Sequence, residues 1–367
     1  MHIAYIALYL RNHLLRGGVG QKALTQIRLW KENGHEAKLF LITPDSIEFQ
    51  DISLSSYKIY NRPPLLRVLL REVSRTRAMI QLVKQVREYK PDIIYLRYGL
   101  YCYPLHHLSS FAPLIIELNT NDFIEYDNQG KFNGIYNRLT RNILLRPAAG
   151  FTPVSYEIAE MPENTYFNKP YQVLANGIDV KQYPILPPPS NLSPIISFVG
   201  SPASSWHGVE KIFPLAKRYQ DLRFDVVGYS AEDIGIIPPE NIRFYGFQSQ
   251  SKVYEILSKA DLALGSLALH RNKMNESSSL KVREALACGL PVVLASKDTD
   301  LDLNNAGFDF ILRIPNRETN IEESADQIYQ FAYQMIGKRA DRKLVAPLID
   351  QSVKETSRLS FFNKFLT

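Results

Sequence analysis

Two cysteines, Cys102 and Cys288, occur in 367 residues. That is too few for a disulfide framework or a four-thiolate zinc site. No stretch reaches the roughly 18 uninterrupted apolar residues of a membrane-crossing helix. The start, Met1-His-Ile-Ala-Tyr-Ile-Ala-Leu-Tyr-Leu10, lacks a basic leader and a small-residue cleavage site. It reads as a first strand, and the expected compartment is the cytoplasm. No His, Cys and Asp cluster has metal-ligand spacing, so no metal site is expected. Charge excess is also small: 43 Lys and Arg against 37 Asp and Glu leave +6. An excess of that size suits an anionic ligand or surface but does not imply nucleic acid. What is present, 45% apolar and 22% charged residues, is the balance of a chain that buries a core. The length suits two domains.

Short apolar runs alternate with helical patterns along the first half. Strand-like runs fall at 2–10, 36–43, 92–97, 114–119 and 150–154, and helical spacing at 20–33, 67–89, 133–145 and 156–161. Such alternation predicts a parallel sheet covered by helices on both faces. The pattern breaks at Tyr183-Pro-Ile-Leu-Pro-Pro-Pro-Ser-Asn-Leu-Ser-Pro194, where five prolines in twelve residues exclude a helix interior or a central strand. Alternation then restarts, with strands at 195–199, 223–227, 242–245, 262–267, 291–295 and 308–314. Helices are expected between them at 209–219, 252–260, 280–287 and 324–336. The expected organisation is an α/β domain over 1–183, a Pro-rich linker over 184–194, a second α/β domain over 195–345, and a tail over 346–367. The apolar Leu359-Ser-Phe-Phe362 suggests that the tail docks. Two open parallel sheets in tandem are expected to bind ligands at the carboxyl ends of their strands.

The stretch Asn275-Glu-Ser-Ser-Ser-Leu-Lys-Val-Arg-Glu-Ala-Leu-Ala-Cys-Gly289 carries the most chemistry. It crosses a polar loop, enters a helix and ends at a glycine. The serines are placed to cap that helix, whose free N–H groups suit a phosphate. Leu280, Glu284 and Cys288 share one face, and a carboxylate there either pairs with a nearby cation or accepts hydrogen bonds from a sugar diol. The E-x7-E spacing of Glu276 and Glu284 recurs at Glu117/Glu125 and Glu232/Glu240. Only the 276/284 pair has the loop, helix, glycine and Pro-led strand around it.

That stretch resembles the donor-site signature of retaining glycosyltransferases of the GT-B fold, family four, whose members often build cell-surface polysaccharides and glycolipids. Gly17-Gly-Val-Gly20, Leu174-Ala-Asn-Gly-Ile-Asp179 and Phe198-Val-Gly-Ser201 with Trp206-His-Gly-Val209 are similar to other family segments in order and spacing. The resemblance implies two Rossmann-like domains facing across a cleft. Glu284 would hold the ribose hydroxyls of a nucleotide diphosphate sugar. Glu276 would contact hydroxyls of the transferred sugar, and the backbone at Ser278, Ser279 and Leu280 would meet sugar and diphosphate. Lys281 would offset diphosphate charge, and Gly17 and Gly18 would let backbone approach it. Gly200 and His207 fall where relatives contact the diphosphate. There the chain departs from the family: Ser201 and His207 stand where many relatives carry Arg and Lys. The phosphate site is therefore expected to lean on Lys281, the helix N-terminus and Arg271, Lys273 or Arg283.

In the first half, Arg97, Glu117 and Asn119 resemble family positions that meet acceptor or sugar; an Arg97–Glu117 ion pair bracing adjacent strands is the equal alternative. Residues 61–90 hold eight Lys and Arg against Glu72 and Glu88. Arg67, Arg71 and Arg75 repeat every four residues, so this helix is expected either to lie on anionic lipid or to be an ordinary solvated face. The expected function is transfer of a sugar from a nucleotide diphosphate sugar to a saccharide or lipid-linked hydroxyl, with retention and without a cofactor. A same-fold epimerase or phosphorylase, and a catalytically silent membrane-associated binding subunit, are the alternatives.

Overall fold

The computed structural model describes residues 1–8, 18–44, 52–59, 64–202, 204–235, 237–302 and 307–366. They form two compact units, Met1–Ala175 with Gln351–Thr367, and Asn176–Asp350. Each unit is built on a six-stranded parallel sheet.

In the first unit the strands are β1 (His2–Leu8), β2 (Glu36–Thr43), β3 (Ile52–Ser56), β4 (Ile93–Arg97), β5 (Leu114–Leu118) and β6 (Gly150–Pro153), ordered β3-β2-β1-β4-β5-β6. Residues 3–7 of β1 and all of β5 are buried, as expected of parallel strands covered on both faces. The main helices are α1 (Gly18–Glu32), α2 (Pro64–Tyr89), α3 (Asp122–Asn128), α4 (Lys131–Leu145) and α5 (Tyr156–Glu160). The last helix of the chain, Gln351–Asn363, belongs to this unit. Its Phe362 packs edge-on against Trp30 at 5.8 Å and at a tilt against Tyr95 at 5.4 Å. The same helix sends Glu355 and Arg358 inside. Glu355 accepts from Trp30 Nε1 at 2.6 Å and from Arg358 Nε at 2.9 Å, and Arg358 also donates to the Tyr95 hydroxyl. Gly150 makes room for the end of the chain, since a Cβ there would lie 2.8 Å from the Phe365 ring and 3.0 Å from Pro170 O.

In the second unit the strands are β7 (Ile195–Val199), β8 (Arg223–Val227), β9 (Ile242–Phe244), β10 (Leu262–Leu264), β12 (Val292–Leu294) and β14 (Ile311–Arg313), ordered β14-β12-β10-β7-β8-β9. A short pair, β11 (Glu276–Ser277) with β13 (Lys297–Asp298), stands apart. The helices that matter here are α6 (Ile212–Arg218), α7 (Gln250–Lys259), α8 (Leu280–Ala287), α9 (Ala325–Gln334) and α10 (Arg342–Ile349).

The division between units falls between Ala175 and Asn176, ahead of the Pro-rich stretch. That stretch is pinned inside the second unit and does not serve as a spacer. Leu186 N–H donates to Cys288 O at 3.2 Å, Arg339 Nε to Pro187 O at 3.1 Å, and Asn191 Nδ2 to Lys259 O at 2.8 Å. The segment 346–367 is likewise split, with α10 in the second unit and the last helix in the first. Among the elements named here, β3, α3, α10, the short β11–β13 pair and the last helix have no counterpart in the sequence reading. The last was hidden because its buried face carries Gln351, Glu355 and Arg358, so apolar periodicity does not reveal it.

Candidate functional site

At the carboxyl ends of β7 and β8 two glycines touch. A Cβ on Gly228, whose φ is +89°, would sit 1.9 Å from Gly200 O. A Cβ on Gly200 would meet Phe198 at 2.8 Å and both His207 Nδ1 and Tyr229 at 2.9 Å. Only glycine satisfies both positions. The crossing holds His207 in place, with Nδ1 3.0 Å from the Tyr229 hydroxyl and 3.3 Å from the Ser201 amide. Tyr229 in turn donates to Ser201 O at 2.5 Å. Burial, and then the nearby Lys281, push His207 down to about 3, so it is neutral at pH 7.

The polar loop 275–279 leads into α8. Glu276 lies on β11 opposite Lys297. Ser278 does not cap α8. Its hydroxyl accepts from the Asn176 amide at 2.5 Å, and its carbonyl accepts from Asn176 Nδ2 at 2.7 Å. Ser279 occupies the cap position without a side-chain bond to the helix. The first amides of α8 are therefore left without the serine caps that the sequence suggested. Leu280 is half-buried and packs on the core of the second unit.

Lys281 is the unusual residue. Its stem is partly exposed, but Nζ is buried, lies 4.6 Å from the centre of the Phe198 ring, and has no hydrogen-bond partner among the described residues. Burial pushes its ammonium down to about 7, with Glu284 opposing the shift. Glu284, one turn on, is half-buried and accepts from the Tyr183 hydroxyl at 3.2 Å. Burial raises its carboxyl to about 6, while Tyr183 and Lys281 act in the opposite sense.

Two other basic residues are already engaged. Arg283 is fully buried and grips Asp298 at 2.9 Å and Asp300 at 2.7 Å. Arg271 bridges Glu318 at 2.6 Å and Glu210 at 2.7 Å. The expectation that either serves a phosphate gives way, because each guanidinium is committed to carboxylates. Lys273 is exposed on left-handed backbone at φ +51°.

In the first unit Glu117 is fully buried at the end of β5. It holds Lys22 of α1, and Arg97 Nη1 lies 3.4 Å from its other oxygen. Arg97 also donates to Asn119 Oδ1 at 2.6 Å. Burial works to raise the Glu117 carboxyl, but Lys22, Arg97 and Arg358 outweigh it and hold it at about 2. A carboxylate with no surface and two cations braces the interior, so the expected contact of Glu117 with sugar or acceptor gives way to the ion-pair alternative. Gly18 is the exposed first residue of α1; Gly17 lies outside the described residues. Arg71 and Arg75 share Glu72 at 3.1 and 2.5 Å, so the Arg67, Arg71, Arg75 stripe is partly neutralised.

The second unit thus gathers Gly200, His207, Ser278, Ser279, Leu280, Lys281 and Glu284 around the start of α8 and the ends of β7 and β8. Sequence reasoning missed Tyr229, Tyr183 and Asn176, which orient these groups, and Lys22 in the first unit. Asn176 sat within the Leu174–Asp179 segment already singled out. Nothing in the linear order ties Tyr183 to Glu284. Among the described residues no cluster of three or more His, Cys, Asp or Glu is arranged to hold a metal ion. No described helix is long and apolar enough to cross a membrane.

Comparison with known proteins adds two family matches. The family model described as Glycosyltransferase Family 4 matches residues 16–182, and that described as Glycosyl transferases group 1 matches residues 193–331. A search of curated proteins found no significant sequence match. Among solved structures, the chain is similar to sucrose-phosphate synthase from Thermosynechococcus elongatus, with a TM-score of 0.69 and 14% identity over 99% of this chain and 98% of that one. It is similar to Anabaena HepE in complex with UDP and glucose, with a TM-score of 0.66 and 15% identity over 99% and 100%. It is also similar to the lipopolysaccharide outer core galactosyltransferase WaaB, with a TM-score of 0.64 and 14% identity over 99% and 100%. These structural likenesses establish the two-domain fold.

Proposed function

Because the chain belongs to the glycosyltransferases whose models match its two halves, we propose that it moves a sugar from a nucleotide diphosphate donor to a hydroxyl acceptor with retention of configuration. The observation that carries the donor site is Lys281, a buried ammonium without a hydrogen-bond partner among the described residues, one turn from a half-buried carboxylate. An unpaired cation inside a fold is costly, and a ligand diphosphate would supply the missing anion. In this reading Lys281 and the first amides of α8 meet the diphosphate and stabilise charge as it departs. Glu284, released from or shared with Tyr183, accepts from the ribose hydroxyls. Glu276 faces the transferred sugar.

In the reaction the bond from the sugar's anomeric carbon to the diphosphate oxygen breaks, and a bond to the acceptor oxygen forms on the same face. The acceptor proton passes to the departing phosphate. This assignment needs no side-chain base and no metal, so turnover should persist in excess chelator. The acceptor is a saccharide or lipid-linked glycan of the kind used in cell-surface polymer synthesis. UDP-sugars are the first donors to test, since HepE and an α-glucosyltransferase of similar fold were each solved in complex with UDP.

Thermal shift against a panel of nucleotide sugars tests the donor site. One donor should raise the melting temperature of the parent protein, and Glu284→Ala should remove that response with folding intact. NMR of the product's anomeric proton then reads the stereochemistry. A free epimerised donor would favour the epimerase alternative. Donor turnover that survives Glu284→Ala undiminished would remove the site assignment. The uncharged Ser201 and neutral His207 favour the silent binding subunit as the second reading, and any transfer by the parent protein excludes it.

A further inference from the structure

Helix α4 in the first unit has an outer face that its own fold does not cover. Phe132, Ile135, Leu139 and Ile143 fall three or four residues apart, so they line one stripe. Their exposures are 79%, 58%, 74% and 44%. Four large apolar side chains in a continuous row differ from the scattered exposed residues normal on a protein surface. The opposite face is fully occupied, with Gly134, Asn137, Arg141, Leu144 and Leu145 buried. Packing within this unit therefore fixes the helix orientation and sends the stripe outward.

Charge narrows the partner. Lys131–Leu145 contains no acidic residue, and exposed Lys131 and Arg146 stand at the two ends of the stripe. The neighbouring α2 adds exposed Leu69, Val73 and Ile80 with Arg77 on the same side of that helix. The helices are close, since Arg75 and Glu72 of α2 act on the Tyr136 hydroxyl of α4. A second copy of this chain would bring cation against cation along such a face. An anionic surface is complementary to it, and an apolar row between cationic ends is the pattern of a helix lying in a bilayer interface.

We propose that α4 docks the first unit on an anionic bilayer. The Phe132, Ile135, Leu139 and Ile143 side chains enter the boundary between headgroups and acyl chains, and Lys131 and Arg146 meet lipid phosphates. The stripe on α4, and not Arg67, Arg71 and Arg75, is the main contact. The proposal is independent of the donor site, because none of these residues touches it.

Flotation of the full chain with phosphatidylglycerol–phosphatidylcholine vesicles, against phosphatidylcholine alone, tests it. The parent should float with the anionic vesicles only. Ile135→Asp with Leu139→Asp should lower the bound fraction by about tenfold or more, and Arg71→Glu should change it by less than about threefold. Melting temperature and nucleotide-sugar response of these variants should match the parent, which separates this proposal from the donor-site reading. In addition, Phe132→Trp should give a blue-shifted emission on adding anionic vesicles, relative to the parent's own tryptophans. A parent that stays in solution, or an Ile135→Asp/Leu139→Asp variant that floats like the parent, would overturn the proposal. So would a parent dimer that this variant splits, which would assign the stripe to a second copy.

Discussion

Lys22 and Lys281 each carry an ammonium group into the interior of a unit, and their surroundings differ. Lys22 meets the buried Glu117, with Arg97 completing the cluster. Lys281 rests against the face of Phe198, with Glu284 nearby but no hydrogen-bond partner among the described residues. Burial lowers both, Lys22 to about 8 and Lys281 to about 7. The first lysine is a closed structural pair, whose strength is set by an internal anion. The second is an open position, the one that the proposed donor diphosphate would fill. Two residues of one type, each with a buried ammonium, thus differ in what they meet, and the partner distinguishes them.

The closed Lys22 pair depends most directly on Glu117. Glu117→Ala leaves Lys22 buried and unpaired and should cost about 3 to 5 kcal/mol in urea unfolding. A loss below about 1 kcal/mol would mean that the pair behaves as a surface bridge. Next comes Glu284→Ala, which should weaken nucleotide-sugar binding by about 1.5 to 3 kcal/mol, the scale of hydrogen bonds to a charged group. Calorimetric titration reads it, and unchanged affinity would remove Glu284 from the ribose.

Lys281→Met gives the sharper test, because its two effects have opposite signs. Removing an unpaired buried cation should stabilise the unliganded protein by about 1 kcal/mol, while affinity for the nucleotide sugar falls. Lys22→Met should destabilise. Equal signs for the two lysine variants would end the contrast.

The smallest effect is in pH. Lys281 gains its proton as pH falls through about 7, so donor affinity should rise in that direction. Glu284 loses its charge as pH falls through about 6, so affinity should decline again below that value. An optimum between the two is expected, and the limb above 7 should vanish in Lys281→Met. Stability of the unliganded fold runs the other way for Lys281. Its folded-state pKa is depressed, so the unfolded chain binds more protons between about 7 and its ordinary value of 10.5, and this contribution rises with pH across that range. The Glu117 contribution, also from a depressed group, is present above its ordinary 4.5 and is lost as pH falls through about 2.

Much of the fold is legible in the sequence. Apolar runs at 36–43, 195–199 and 223–227 match β2, β7 and β8 end to end, because parallel strands covered on both faces need near-continuous hydrophobicity. The sequence pattern places the helix carrying Lys281 and Glu284 at 280–287, the range the structure shows, with Gly289 in the left-handed region just beyond it. Side-chain partnership was the part not readable. The links between Tyr183 and Glu284, Asn176 and Ser278, and Lys22 and Glu117 span distances along the chain that no local period encodes. The last helix was illegible for a related reason, since it buries charge and amide groups where periodicity looks for leucine.

The place of that helix has a consequence for how the polypeptide matures. The unit that holds residues 1–175 needs Glu355, Arg358 and Phe362 to fill its interior, and a ribosome makes these only after the whole of 176–350. The later unit is contiguous in the chain and can complete itself first. Until then Trp30 and Tyr95 lack the cover that Phe362 gives them in the finished unit.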